Sequence, residues 1–163
     1  MAKKALDFAH WFVQNLKLSR SWPDQSKLQK LLFFSWLIHF VNYQTPLFED
    51  DFYAFKRGPV VWDVLYLSNL KYTGFLTLPL PNFSPGETDT LRLTCEMFGN
   101  ACDDELIELS QKSPIWERHY NESKIYENGK FTGEYDRKKQ MMPKDEFETE
   151  LRVMKDLLDV HKH

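Results

Sequence analysis

Ser26-Lys27-Leu28-Gln29-Lys30-Leu31-Leu32-Phe33-Phe34-Ser35-Trp36-Leu37-Ile38-His39-Phe40-Val41-Asn42-Tyr43 is the stretch on which the fold turns. Leu28, Leu31, Leu32, Ser35 and His39 recur at helical spacing, and Phe33, Phe34, Trp36, Leu37, Ile38 and Phe40 fill the remaining sides. A helix apolar nearly all round has to be buried on all sides, so the rest of the chain is expected to pack around this one. Ser26 and Gln29 fit a capping box at a start near Asp24 or Ser26. His39 reads as a hydrogen-bonded core residue.

Working outward, Ala5, Phe8, Ala9, Phe12, Val13 and Leu16 give one face of a first helix over about 3–17, and Ser19–Pro23 is a break. Thr45-Pro46 ends the central helix. Phe52-Tyr53-Ala54-Phe55 reads as a short strand, and Pro59 is well placed to open a third helix to Tyr72. Gly74 to Asp89 is turn-rich. Thr90-Leu91-Arg92-Leu93-Thr94 alternates as a half-buried strand does and could pair with the Phe52 strand. Asp103 is expected to cap a helix to Gln111, and Ser113-Pro114 starts a short helix to Tyr120. Asn121–Gln140 is polar and mostly irregular, with a turn at Asn128-Gly129, and Pro143 opens a last helix whose face is Phe147, Leu151, Met154, Leu158 and His161. The expected fold is mainly α with an α+β character: one helical domain over 1–163 around a central apolar helix, with a small antiparallel sheet.

Composition narrows the function. With 21 basic and 24 acidic residues the net charge is -3, which argues against nucleic acid as the main partner. The 13 Phe, 7 Tyr and 5 Trp suit a core and also interface anchors. Two cysteines, Cys95 and Cys102, fit no zinc or redox spacing, and a reducing cytoplasm is the simplest compartment. No apolar run reaches the ~18 residues of a membrane span. None of the six glycines falls in a phosphate-cradling pattern, no nucleophile elbow is visible, and His161 and His163 make a poor metal pair. No cofactor is implied. Glu49-Asp50-Asp51 reads as a solvated loop. Lys56 and Arg57, ahead of Gly58-Pro59 and Trp62, are the candidate partner-binding residues, because a helix start flanked by Lys and Arg attracts an acidic group and the Arg fork binds carboxylates in pairs.

The chain resembles the SocA-like (Panacea) antitoxin family. Lys27-Leu28-Gln29-Lys30-Leu31-Leu32-Phe33-Phe34 is similar to that family's Lys-Leu-Gln-Lys-Leu-Leu helix, Pro46 to Val61 to its segment ending Lys-x-Gly-Pro-Val-Val, and Leu109-Ser110 with Pro114 and Trp116 to its later element. Here Ile115 separates Pro114 from Trp116, and the region from about 121 diverges from the family. The resemblance implies a mostly helical domain and an antitoxin that binds and neutralises a cognate protein toxin, in some members by delivering it to a Clp-type protease, with no catalysis of its own. Two other classes stay open: a DNA-binding transcriptional regulator built on the first two helices, and an uncharacterised phage-associated protein, for instance an enzyme with 74–89 as a lid.

Overall fold

A computed structural model describes residues 3–19, 21–68 and 77–162. Helix α1 (Ala5–Leu16) leads to α2 (Asp24–Tyr43), then to strands β1 (Phe52–Phe55) and β2 (Gly58–Val61) and a 3-10 helix, Trp62–Ser68. Helices α3 (Pro85–Phe98), α4 (Asp103–Ser110) and α5 (Pro114–Ser123) follow. A ribbon of β3 (Lys124–Glu127) and β4 (Lys130–Tyr135), a helical turn α6 (Arg137–Gln140), β5 (Met141–Met142), a 3-10 turn (Lys144–Glu146) and α7 (Glu148–His161) complete the described chain.

The central helix is buried as its composition demands: every residue from Leu28 to His39 is shielded from solvent. Helices α1, α3, α4 and α7 and strand β2 all pack against it. Aromatic rings do much of the filling. Phe33 meets Phe52 edge-on at 5.3 Å and Phe147 at 5.9 Å, Trp36 meets Phe147 at 5.6 Å, and Phe34 stacks on Phe98 at 4.7 Å. Offset and edge-on pairs such as these are the favoured ring geometries. Two polar side chains of the central helix are matched inside: Trp36 Nε1 donates to the Phe48 carbonyl at 3.1 Å, and His39 Nδ1 lies 2.7 Å from Thr90 Oγ1. His39 is thus the hydrogen-bonded core residue expected. Asp50 is more than loop solvation, since its Oδ1 accepts the Ala5 amide at 2.9 Å and so serves the start of α1.

The sheets are antiparallel, one in the order β2-β1-β5 and one of β3 with β4. Several expectations are corrected. Pro59 does not open a helix. It lies in β2 opposite Ala54, and β2 is an edge strand, where a residue without an N–H is tolerated. Only the 3-10 helix Trp62–Ser68 follows, and 69–76 lie outside the described residues. Thr90–Thr94 is not a strand but the middle of α3. Ser84 and Glu87 form that helix's capping box, and the Thr90 and Thr94 hydroxyls bond back to the carbonyls of Gly86 and Thr90. Ser26 is not a cap, because α2 already starts at Asp24 behind Pro23. Asp103 is the first residue of α4, with Cys102 at the cap position. The region 121–140 is ordered: Asn128 (φ 51°) and Gly129 (φ 78°) make the two-residue turn of the β3–β4 ribbon. A 3-10 turn stands between Pro143 and the last helix, which begins at Glu148.

The last segment is fastened to the central helix by Phe147 and Lys144. The Lys144 ammonium sits over the rings of Trp36, Phe48 and Phe52 and donates to the carbonyls of Glu49 (3.1 Å) and Asp50. Phe147 is fully buried. Replacing Phe147 by Ala removes a ring shared by Phe33, Trp36 and Phe52, and should lower the unfolding free energy in urea by ~3–5 kcal/mol.

Candidate functional site

Strands β1 and β2 are four residues each and are joined by the two-residue turn Lys56-Arg57. So short a hairpin needs outside support, and side chains from three helices supply it. Gln29 of α2 grips Val61 from both sides: the Val61 amide donates to Gln29 Oε1 at 2.8 Å, and Gln29 Nε2 donates to the Val61 carbonyl at 3.2 Å. Trp116 Nε1 of α5 donates to the Phe55 carbonyl at 2.8 Å, and Gln111 Nε2, just past α4, to the Lys56 carbonyl at 3.1 Å.

Gly58 allows the closest approach. A Cβ there would stand 2.5 Å from Ser110 Oγ and 2.9 Å from Lys30 Cε, and its φ of +120° suits glycine alone. The three sequence segments singled out above therefore meet at one point. Their members mostly build the fold around that point: Leu28, Leu31 and Leu32 are core, Lys27 Nζ donates to the Gly99 carbonyl at 2.7 Å, and Trp116 is buried.

Two charged groups lie beneath the turn. Lys30 is 1% exposed, and its ammonium donates to Ser26 Oγ at 3.0 Å. Burial lowers its pKa to about 8, with Asp103 opposing and Arg57 adding to the fall. Asp103 is 7% exposed, and neither of its carboxylate oxygens has a hydrogen-bond partner. Burial pushes its pKa up, while the nearby Ser26 hydroxyl and Lys30 ammonium pull it down without closing a hydrogen bond in this geometry. The two charges thus sit in a low-dielectric pocket under an exposed basic turn.

Above them a groove of about 320 Å³ opens, lined among others by Trp22, Gln25, Phe55, Lys56, Arg57 and Leu65. The Arg57 guanidinium lies 4.4 Å from the centre of the Trp22 ring, and Trp22 is 54% exposed. A cation resting on an exposed indole beside a cleft brings together two residue types enriched among binding hot spots. Of the expected residues, Lys56 and Arg57 are exposed on the turn, and Gly58 and Pro59 are buried beneath it. No helix start lies behind Arg57, so the electrostatics there come from the side chains alone. Trp62 is not part of this groove. It meets Tyr53 and Phe55 edge-on at 5.8 Å each, and the Arg137 guanidinium covers its ring at 3.7 Å, beside a separate cleft with Asp50 and Asp51. Sequence reasoning missed Trp22, Lys30 and Asp103 as neighbours of the site, and Arg137 as the cover of Trp62. Trp22 stood in a stretch read only as a break, and nothing in spacing pairs Lys30 with a residue 73 positions on.

A family model described as Antitoxin SocA-like, Panacea domain matches residues 28–117. The chain belongs to this family. No curated protein and no solved structure matches. The Panacea match takes in Gln29, Lys30, the β1–β2 hairpin, Asp103, Ser110 and Trp116. It leaves out α1, Trp22, the β3–β4 ribbon and α7.

Gly58→Ala should cost at least ~2 kcal/mol in urea unfolding, from clash and backbone strain together. Lys30 gives a pH signature. The unfolded chain holds this proton up to its ordinary value of 10.5, the fold only to about 8. Between those values the unfolded state binds more protons, so the Lys30 contribution makes stability rise with pH; below about 8 both states are protonated and the penalty is constant. The unfolding free energy of the wild type relative to Lys30→Met should therefore rise by as much as ~3 kcal/mol from pH 7.5 to 10.5. A flat difference would show that burial does not perturb Lys30.

Proposed function

We propose that this chain is an antitoxin that binds a protein toxin at the Trp22–Arg57 groove and neutralises it without catalysis. The observation that carries the reading is the Panacea match across a turn whose backbone is clamped while its Lys56 and Arg57 side chains stay exposed. A fixed turn loses little entropy on docking, so more of the contact energy appears as affinity. The toxin surface that suits it carries Asp or Glu, ready for the Arg57 fork, beside an apolar patch for Trp22.

Neutralisation can take two forms: covering the toxin's active surface, or holding the toxin for a Clp-type protease in the cytoplasm. The transcriptional-regulator reading has less support. A helix-turn-helix made of α1 and α2 needs a free recognition helix, and α2 is buried from Leu28 to His39. Among the described residues no helix is long and apolar enough to cross a membrane, and no three His, Cys, Asp or Glu side chains are grouped to hold a metal.

Co-expression with the product of the neighbouring gene tests the proposal. The expected result is growth arrest by the neighbour alone, rescue by this chain, and a complex in the pull-down. Rescue with falling toxin levels and no stable complex would favour the protease route. A harmless neighbour that does not co-purify would overturn the antitoxin reading for that pair. The double charge reversal Lys56→Glu, Arg57→Glu should weaken the complex by ~tenfold or more. Its unfolding free energy should stay within ~0.5 kcal/mol, because both side chains are exposed.

A further inference from the structure

The face of α2 that brings Ser26, Gln29 and Lys30 to the Trp22–Arg57 groove continues past it. Further along the helix the same face presents Phe33, Phe34 and Leu37, and these line a second cavity, about 130 Å³ and open to solvent. Positions 26, 29, 30, 33, 34 and 37 share one side of a helix, so the two clefts lie along one stripe. At a rise of about 1.5 Å per residue, their floors are centred ~10 Å apart. The ridge between them is the end of α4. Ser110 Oγ stands 2.5 Å from where a Gly58 Cβ would be, and Gln111 Nε2 donates to the Lys56 carbonyl at 3.1 Å. Ser110, and Lys112 just past Gln111, line the second cavity.

This cavity is apolar with a cation at its edge. Leu109, Met154 and Leu157 complete its walls. The Ser110 and Ser113 hydroxyls are already donating, to the Ile107 carbonyl and to Glu150 Oε2. Glu150 is 5% exposed and also takes the Ile115 amide, so it is turned toward the start of α5. Lys112 is the exposed charged residue among those that line the cavity. Among the described residues, Lys112, Lys56 and Arg57 form no ion pair. Three uncompensated cations therefore border the two clefts, and they suit a partner surface that carries Asp and Glu. A cavity of roughly 150 Å³ holds a group the size of benzene, so this one admits a single Leu, Met or Phe side chain. An ordinary protein–protein contact covers about 800 Å² on each partner, roughly 30 Å across, and so spans both clefts with room to spare. We infer that one toxin occupies both clefts: besides meeting the Lys56-Arg57 turn, it inserts one large apolar side chain into the second cavity and sets an Asp or Glu beside it on Lys112. The inference rests on the antitoxin reading for the identity of the partner. It gives α7, which lies outside residues 28–117, a part in choosing that partner through Met154 and Leu157.

Titration of the full chain with the purified product of the neighbouring gene tests this, read as a Kd and as the methyl NMR signals of Met154 and Leu157. Both sets of methyl signals should shift as the complex forms. Val153→Trp places a bulky ring at a 45% exposed position lining the cavity. It should keep the melting temperature and weaken the complex ~tenfold or more, because the apolar anchor is shut out. Lys112→Glu should weaken it ~threefold or more. Full-strength binding by folded Val153→Trp, or unmoved Met154 and Leu157 signals in the complex, overturns this inference alone if Lys56→Glu, Arg57→Glu still weakens binding. Failure of the wild-type chain to form any complex overturns it together with the antitoxin reading. If Val153→Trp does not fold, Lys112→Glu and the methyl signals decide: full-strength binding by Lys112→Glu then overturns the inference.

Discussion

The hairpin of β1 and β2 cannot hold its own shape. Two strands of four residues, one of them with Pro59 in place of a donor, make too few cross-strand bonds to persist in water. The backbone groups left over must be satisfied from elsewhere. Gln29, Gln111 and Trp116 do this from three directions, and Gln29 works in both senses, offering a donor and an acceptor to one residue. The packing of α4 on the buried central helix, with α5 against β1, brings these side chains within reach of the hairpin. The exposed turn inherits its rigidity from buried Gln29 and Trp116 and from half-buried Gln111.

The same geometry explains a costly pair of charges under the turn. Lys30 lies in the stretch of α2 from Leu28 to His39 that is buried throughout, and its chain runs past Gly58, so no bulkier residue fits there. Burial weakens the ammonium, and Asp103 partly restores it. Apolar residues of similar volume often stabilise a fold as well as such a pair or better. Here Lys30 reaches the underside of the exposed basic turn at Gly58, and the charges of Lys30 and Asp103 both couple electrostatically to Arg57.

Sequence alone conveyed the outline well and failed where two periods compete. Helix α2 was legible because no alternative buries the eight apolar side chains between Leu28 and Ile38 in so short a stretch, and α1, α4 and α5 followed from spacing and breaks. Thr90-Leu91-Arg92-Leu93-Thr94 misled because its alternation is genuine over five residues. Only the wider spacing Thr90, Leu91, Thr94 and Phe98 marks the buried face of a helix. The Gly58-Pro59 step misled for a different reason. Pro59 suits a helix start and an edge strand equally, and the decision rests on the Gln29 grip, a contact across 32 positions. Lys56 and Arg57 were legible as candidates because exposed charge beside a turn can be read locally. Trp22, Lys30 and Asp103 were not, because burial and long-range approach leave no local mark.

Phe147 and Lys144 carry a consequence for the order of events at the ribosome. The rings that Phe147 touches on α2 lie more than a hundred positions earlier, so α2 is synthesised long before the group that seals this side of it. A chain emerging N-terminus first keeps Phe33 and Trp36 uncovered through most of translation. Sequence separations of this size also slow the final closure. The nascent protein therefore passes through a period with a sticky aromatic surface, which closes only once Phe147 has docked and Lys144 has settled on the carbonyls of Glu49 and Asp50.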